Sequence, residues 1–142
     1  MPDTNPITGG CLCGAVRYEI TAEPMFGGKC YCDDCRRSGG TGHVSVMAIP
    51  DAGFKVTGAT TGYTSPGGSG QPITRRFCTT CGTPIHATSA LMPDVAMVRA
   101  STLDDPETFQ SQMSIFAARA PSWDKPPAGT LAFDEAPPPQ DG

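Results

Sequence analysis

Seven cysteines in three clusters constrain this chain more than any other feature: Cys11-Leu12-Cys13, Cys30-Tyr31-Cys32-Asp33-Asp34-Cys35 and Cys78-Thr79-Thr80-Cys81-Gly82. An odd number cannot pair internally into disulfides, and the Cys-x-Cys spacing is a poor geometry for a bridge. The N-terminus, Met1-Pro2-Asp3-Thr4-Asn5-Pro6, has neither the basic start nor the apolar core of an export signal. The expectation is therefore a reducing, cytoplasmic setting, where clustered cysteines bind metal or react rather than cross-link.

Thiolates select zinc, copper(I) or iron–sulfur clusters. Cys78-x-x-Cys81-Gly82 has the form of a zinc knuckle, whose glycine permits the backbone angles that aim amides at the sulfurs; iron–sulfur is the alternative. Structural zinc takes four protein ligands, whereas catalytic zinc keeps three and an open position. Residues two apart on an extended segment share a face, which predicts that Cys11 and Cys13 reach one ion together. Cys78 and Cys81 supply the second pair, leaving Cys30, Cys32 and Cys35 as a three-thiolate clamp. The other pairing, with Cys11 and Cys13 closing on the middle cluster, leaves only two thiolates at the knuckle and a weak site. At the three-cysteine ion the fourth position is either open to water, a thiol or a carbonyl oxygen, or filled from elsewhere in the fold. Spacing alone allows both. Two zinc ions per chain are expected.

The 142-residue chain is acidic, with ten Lys plus Arg against fourteen Asp plus Glu. Two zinc ions (+4) on seven thiolates (−7) would take the formal charge from −4 to about −7. An extended nucleic-acid surface needs a basic face, so no nucleic-acid partner is expected. No apolar run approaches the roughly 20 residues that span a bilayer, so no membrane role is expected either. Nothing in the sequence sets an oligomeric state.

Helical periodicity is nearly absent. Short β-rich runs at Ala15–Ile20, His43–Ile49, Phe54–Thr57, Thr61–Thr64, Ile73–Phe77, Val95–Ala100 and Met113–Ala118, bounded by turn residues, predict a mainly β chain. Helical turns are expected after Asp34-Cys35-Arg36-Arg37 and at Asp104-Asp105-Pro106-Glu107. Ser65–Pro72 reads as a flexible loop between two strands. A single domain over residues 7–135 is expected, with a flexible N-terminus at 1–6 and a disordered Pro-rich tail at 136–142.

Arg36 and Arg37 follow the three-cysteine clamp and are candidates to bind a substrate carboxylate, against the alternative of a solvated pair at a loop end. Of Arg75 and Arg76, one is expected to pair with an acidic neighbour. His43 and His86 are the only histidines; each is a candidate fourth zinc ligand or general base, against the preferred reading of packing or surface residues. Trp123 and Phe116 are candidates to line an apolar pocket, against the preferred reading of core residues.

The segments Gly9–Tyr18, Cys30–Arg37, Arg76–Ile85 and Thr102–Pro106 together resemble the family of glutathione-dependent formaldehyde-activating enzymes, which also includes centromere protein V. The resemblance covers about residues 7 to 125 and all seven cysteines, and departs from the common pattern at Leu12 and Tyr31, where histidine is frequent. It implies an Mss4-like fold, several small antiparallel β-sheets stapled by zinc. It also implies that Cys11, Cys13, Cys78 and Cys81 hold a structural ion and that Cys30, Cys32 and Cys35 form a substrate-facing site. The family reaction adds glutathione to formaldehyde to give S-hydroxymethylglutathione and is classed as carbon–sulfur lyase chemistry. The function expected is thus that of a zinc-dependent carbon–sulfur lyase acting on a small thiol such as glutathione. A non-catalytic zinc-stabilised binding module and a thiol redox sensor are the alternatives.

Overall fold

Alternation of inward and outward side chains builds the first sheet. Val16, Tyr18 and Ile20 are buried while Arg17 and Glu19 are exposed, the period-two pattern of a half-buried strand. In the computed structural model, which describes residues 5–67 and 70–137, the strands are β1 (Ile7–Gly10), β2 (Arg17–Ile20), β3 (Phe26–Cys30), β4 (Val44–Pro50), β5 (Phe54–Thr57), β6 (Thr60–Pro66), β7 (Pro72–Cys78), β8 (Pro84–Ser89), β9 (Met92–Arg99) and β10 (Met113–Ile115). The α-helix α1 (Asp33–Gly39) and one-turn 3-10 segments complete the described residues. The chain is mainly β, with two cysteine clusters, and fits the Mss4-like fold. Among the described residues no helix is long and apolar enough to cross a membrane.

Two compact units are distinguished: Met1–Phe26 with Met47–Phe109, and Gly27–Val46 with Gln110–Gly142. In the first, β1, β2 and β5 form an antiparallel sheet in that order, and β9, β8, β7 and β6 form an antiparallel meander. Tyr18, Ile20, Met47, Ile49, Ile85 and Val98 meet in its core, with Cys11 and Cys78 among them. Each such aliphatic side chain stabilises the fold by roughly 1.5–3 kcal/mol when fully buried. In the second unit β10 pairs in parallel with β3, with Ile115 opposite Cys30.

Three strands were not signalled by β propensity. β1 (ITGG), β3 (FGGKC) and β8 (PIHATS) are glycine-rich or polar, and their extended form comes from neighbours that pair with them. Gly9 is required by close approach: a Cβ there would lie 2.2 Å from the Tyr18 hydroxyl and 2.4 Å from the Thr102 carbonyl oxygen. That hydroxyl shares a 2.7 Å hydrogen bond with Thr102 Oγ1, which donates to the Arg99 carbonyl.

Several expectations are corrected. The run Met113–Ala118 is a strand only to Ile115, because Phe116 takes a left-handed conformation (φ 55°) that turns the chain into a 3-10 segment at Ala117–Arg119. Trp123 is 70% exposed and is not a core residue; Phe116 is half-buried. Arg75 and Arg76 bond the hydroxyls of Ser65 and Thr60, and neither pairs with an acidic neighbour among the described residues. The expected helical turns form as α1 and as Pro106–Thr108, the latter capped by the Asp105 carboxylate, which accepts from the Glu107 amide. Of the segments expected to be flexible or disordered, residues 1–4, 68–69 and 138–142 lie outside the described residues.

His86 on β8 is buried, packs edge-on to Phe54 at 4.8 Å and has no hydrogen-bond partner at Nδ1. Burial first, then the Arg76 charge, hold its pKa below the usual imidazole value of 6.5. The unfolded chain therefore binds this proton more readily than the folded one, and stability from this group falls as pH drops below 6.5. Denaturation of wild type and His86→Leu at about pH 7 and about pH 5 should show a smaller acid loss in the variant. Equal losses would contradict the assignment.

Candidate functional site

Two thiol clusters are brought together, each within one unit. In the first, the Sγ atoms of Cys11, Cys13, Cys78 and Cys81 all lie within 4.8 Å of one another. Cys11 and Cys13 do not sit on an extended segment as spacing suggested. They occupy a tight turn after β1, closed by the Gly14 amide donating to the Cys11 carbonyl at 3.2 Å. The turn converges the two sulfurs to 3.6 Å, and Cys13 Sγ is 3.8 Å from Cys78 Sγ, 65 residues away. A tetrahedron with metal–sulfur bonds of roughly 2.3 Å has sulfur–sulfur edges of about 3.8 Å, so this donor set fits zinc.

Amides converge on the same sulfurs. Val16 N–H donates to Cys11 Sγ at 3.2 Å, and Cys81 N–H donates to Cys78 Sγ at 3.4 Å. Gly82 has φ 81°, a left-handed angle that closes the knuckle as its amide bonds the Cys78 carbonyl at 2.9 Å. Thr83, which sequence reasoning missed, locks the two halves. Its hydroxyl accepts from the Leu12 amide at 3.1 Å and lies 3.2 Å from Cys81 Sγ, while its carbonyl accepts from the Cys78 amide. The Thr83 hydroxyl and amide hold the Cys81 thiol down to about 5. Cys13 is pushed up to about 11: the Ala15 amide favours its thiolate, but Cys11, burial and the remaining sulfurs oppose another negative charge.

The second cluster joins Cys30, Cys32 and Cys35, again with all Sγ atoms within 4.8 Å. Cys30 ends β3 and is buried; Cys32 is the N-cap of α1, its sulfur accepting from the Cys35 amide at 3.3 Å. The Cys30 and Cys35 thiols hold Cys32 down to about 2, and Cys30 is in turn pushed strongly up by its two neighbours. Three sulfurs this close ionise together only around a cation. Among the described residues no histidine or carboxylate joins either group.

Of the two arginines singled out, Arg36 is drawn back to Asp33 at 3.4 Å, and Arg37 is exposed. Asp33 also accepts from Arg119 at 2.9 Å, a partner no local pattern could reveal. Elsewhere in the first unit Asp104 forms a two-pronged pair with Arg17 and accepts from Thr8, tying the Thr102–Pro106 segment to the strands that flank the Cys11 turn.

A zinc ion held by this cluster would carry folding free energy on the order of 10 kcal/mol, so Cys81→Ser, with three sulfurs left there, should bind less metal and melt lower. Metal content and thermal melting are the readouts. A soluble variant that melts like the wild type would contradict the closed four-sulfur site.

Residues 6–119 match the family model described as glutathione-dependent formaldehyde-activating enzyme. A Halomonas elongata protein named "Putative glutathione-dependent formaldehyde-activating enzyme" is 26% identical over 129 residues, covering 82% of this chain and 78% of that protein. The crystal structure of a Rhodobacter sphaeroides protein superposes with a TM-score of 0.58 at 22% identity, over 89% of this chain and 99% of that one, a likeness of fold. With a family match across most of its length and both cysteine clusters assembled, the chain belongs to the glutathione-dependent formaldehyde-activating enzyme family.

Proposed function

We propose that the protein is a zinc-dependent carbon–sulfur lyase that joins a small thiol and an aldehyde, glutathione and formaldehyde in the default case. The observation that carries this reading is the Cys30–Cys32–Cys35 cluster, which offers three sulfurs where a closed site has four. A zinc ion bound there would favour the thiolate form of an added thiol and polarise a carbonyl oxygen. The four-sulfur cluster, in contrast, is complete and serves as the structural site in this reading.

The chain's own groups set the conditions around the second cluster. The Cys35 amide donates to Cys32 Sγ, which draws charge from that sulfur and leaves it a weaker donor than a bare thiolate. Asp33 holds Arg36 and Arg119 beside α1, and exposed Arg37 is free of the constraint of a buried position. In this proposal Arg36 and Arg37 receive a carboxylate of the thiol substrate, for which the guanidinium fork is suited. Thiol addition to an unhindered aldehyde is intrinsically easy, so gathering two small reactants supplies most of what catalysis requires. Action of residues 7–135 as one functional domain, in the cytoplasm, belongs to the same reading.

Exchange NMR on mixed glutathione and formaldehyde tests it, with zinc-loaded wild type and Cys32→Ser compared. Faster exchange that disappears in the variant, while about one zinc and the fold are kept, is the expected result. An unaccelerated mixture with both sites loaded would overturn the lyase reading and favour binding or redox sensing.

A further inference from the structure

In the first unit, β6 leaves one edge of the meander open: it has β7 on one side and no strand on the other. The Thr79 amide donates to the Ala59 carbonyl at 3.1 Å, and the Gly67 amide donates to the Gln71 carbonyl at 2.8 Å. These bonds lie just beyond the two ends of β6 and fit the register that sets Thr60 opposite Cys78 and Pro66 opposite Pro72. Bonded and non-bonded pairs alternate along an antiparallel ladder. Thr61, Tyr63 and Ser65 therefore bond to β7, while Thr60, Gly62 and Thr64 turn their N–H and C=O groups to the open side.

The other sheet edges are covered or guarded. On β1 the Thr8 carbonyl accepts from the Asp104 amide, and Gly9 bridges to Leu103. On β10 the Ser114 amide donates to the Leu131 carbonyl, and its carbonyl accepts from the Phe133 amide, both at 2.9 Å. β5 is four residues long and carries Lys55, a charge that discourages a further strand. β6 has none of these devices. Its seven residues, Thr60-Thr61-Gly62-Tyr63-Thr64-Ser65-Pro66, include no charge, and Pro66 blocks only the far end. Among the described residues no other segment bonds its open side, and Tyr63 stands 65% exposed.

We propose that the open edge of β6 pairs with β6 of a second copy of this chain, antiparallel about a two-fold axis through Gly62. Self-complementarity argues for a second copy. A two-fold duplicates every charge on the strand across the axis, and β6 has none to repel its image. An acidic or basic partner strand would find no charge on β6 to select it. With the axis normal to the sheet, Thr60 faces Thr64 of the second copy, Gly62 faces Gly62, and Thr64 faces Thr60. These are the residues whose backbone groups point outward, so each pair exchanges both N–H···O bonds. Centring on Tyr63 instead would set Thr60 against Pro66, which has no N–H to give. In the Gly62 register Tyr63 lies opposite Thr61 of the second copy, ring against methyl. A contact one strand wide falls below the roughly 1,200 Å² of a standard interface, so association depends on concentration. The pairing is independent of the lyase reading.

The test uses the full, zinc-loaded chain. Sedimentation between about 10 μM and about 1 mM should move from monomer to dimer. Over the same range, amide hydrogen exchange at Thr60, Gly62 and Thr64 should slow by about tenfold or more, while Thr61 and Tyr63, already bonded to β7, change little. Thr61→Glu with Tyr63→Glu sets like charges in the facing pairs and should keep the chain monomeric at the highest concentration. Thr61→Lys with Tyr63→Glu makes those pairs opposite in sign and should restore association, which a folding defect would not allow. A wild type that stays monomeric, with Gly62 exchanging freely, overturns the proposal and leaves the edge to a strand of another protein. A dimer that survives the double-glutamate change, or that leaves Gly62 exchange unslowed, uses another surface and overturns it too. A Lys–Glu chain no more associated than the double-glutamate one refutes the Gly62 register.

Discussion

Crowding of negative charge at the sulfurs is the constraint on which the rest of this structure depends. Two unit charges about 4 Å apart repel by roughly 4 kcal/mol at an effective dielectric of about 20, and the first cluster sets four potential thiolates that close. Without a cation the sulfurs compete for ionisation: Cys11, Cys81 and Cys78 all oppose a charge on Cys13. With one, the repulsion becomes four attractive bonds, and the N-terminal turn is tied to a knuckle far along the chain. The core agrees with this closure, since Cys11 and Cys78 pack among Tyr18, Ile20 and Ile85. A metal ion held there would therefore stabilise the same arrangement of strands as apolar burial does.

The two clusters solve the charge problem with different local devices. At the first, tight turns and the left-handed Gly82 direct the Val16 and Cys81 amides at sulfur, and Thr83 bridges the halves. At the second, a helix N-terminus does the work: Cys32 caps α1 and Cys35 lies within its first turn. Among the described residues the first cluster has four donors and the second three. In the proposed function that difference in donor number separates a structural site from one able to accept a fourth, exchangeable group.

Much of this was legible in the residues. Turn-bounded β-rich runs marked most of the strands, and the Cys-x-x-Cys-Gly spacing marked the knuckle, because both patterns act over a few residues. Prediction failed where a local pattern was overruled by distant partners. β1 and β3 look like glycine-rich loops until a neighbour supplies their hydrogen bonds. Phe116 turns a β-like run aside, and Trp123, apolar by type, stays in solvent. Cys11 and Cys13 reach the same place as expected but by a turn, since Gly14 can adopt the φ of 83° that closes it.

The sequence by itself determined the number of sulfurs, their spacing within each cluster and the mainly β character, because these depend on residue chemistry and on periodicities a few positions long. Only the tertiary structure decided which clusters share a site. It alone placed Thr83 between the two halves of the first cluster and set Asp124 against His43 over the bare face of Gly42. Such contacts join residues far apart in the chain, and their energy comes from burial and orientation that no local pattern encodes.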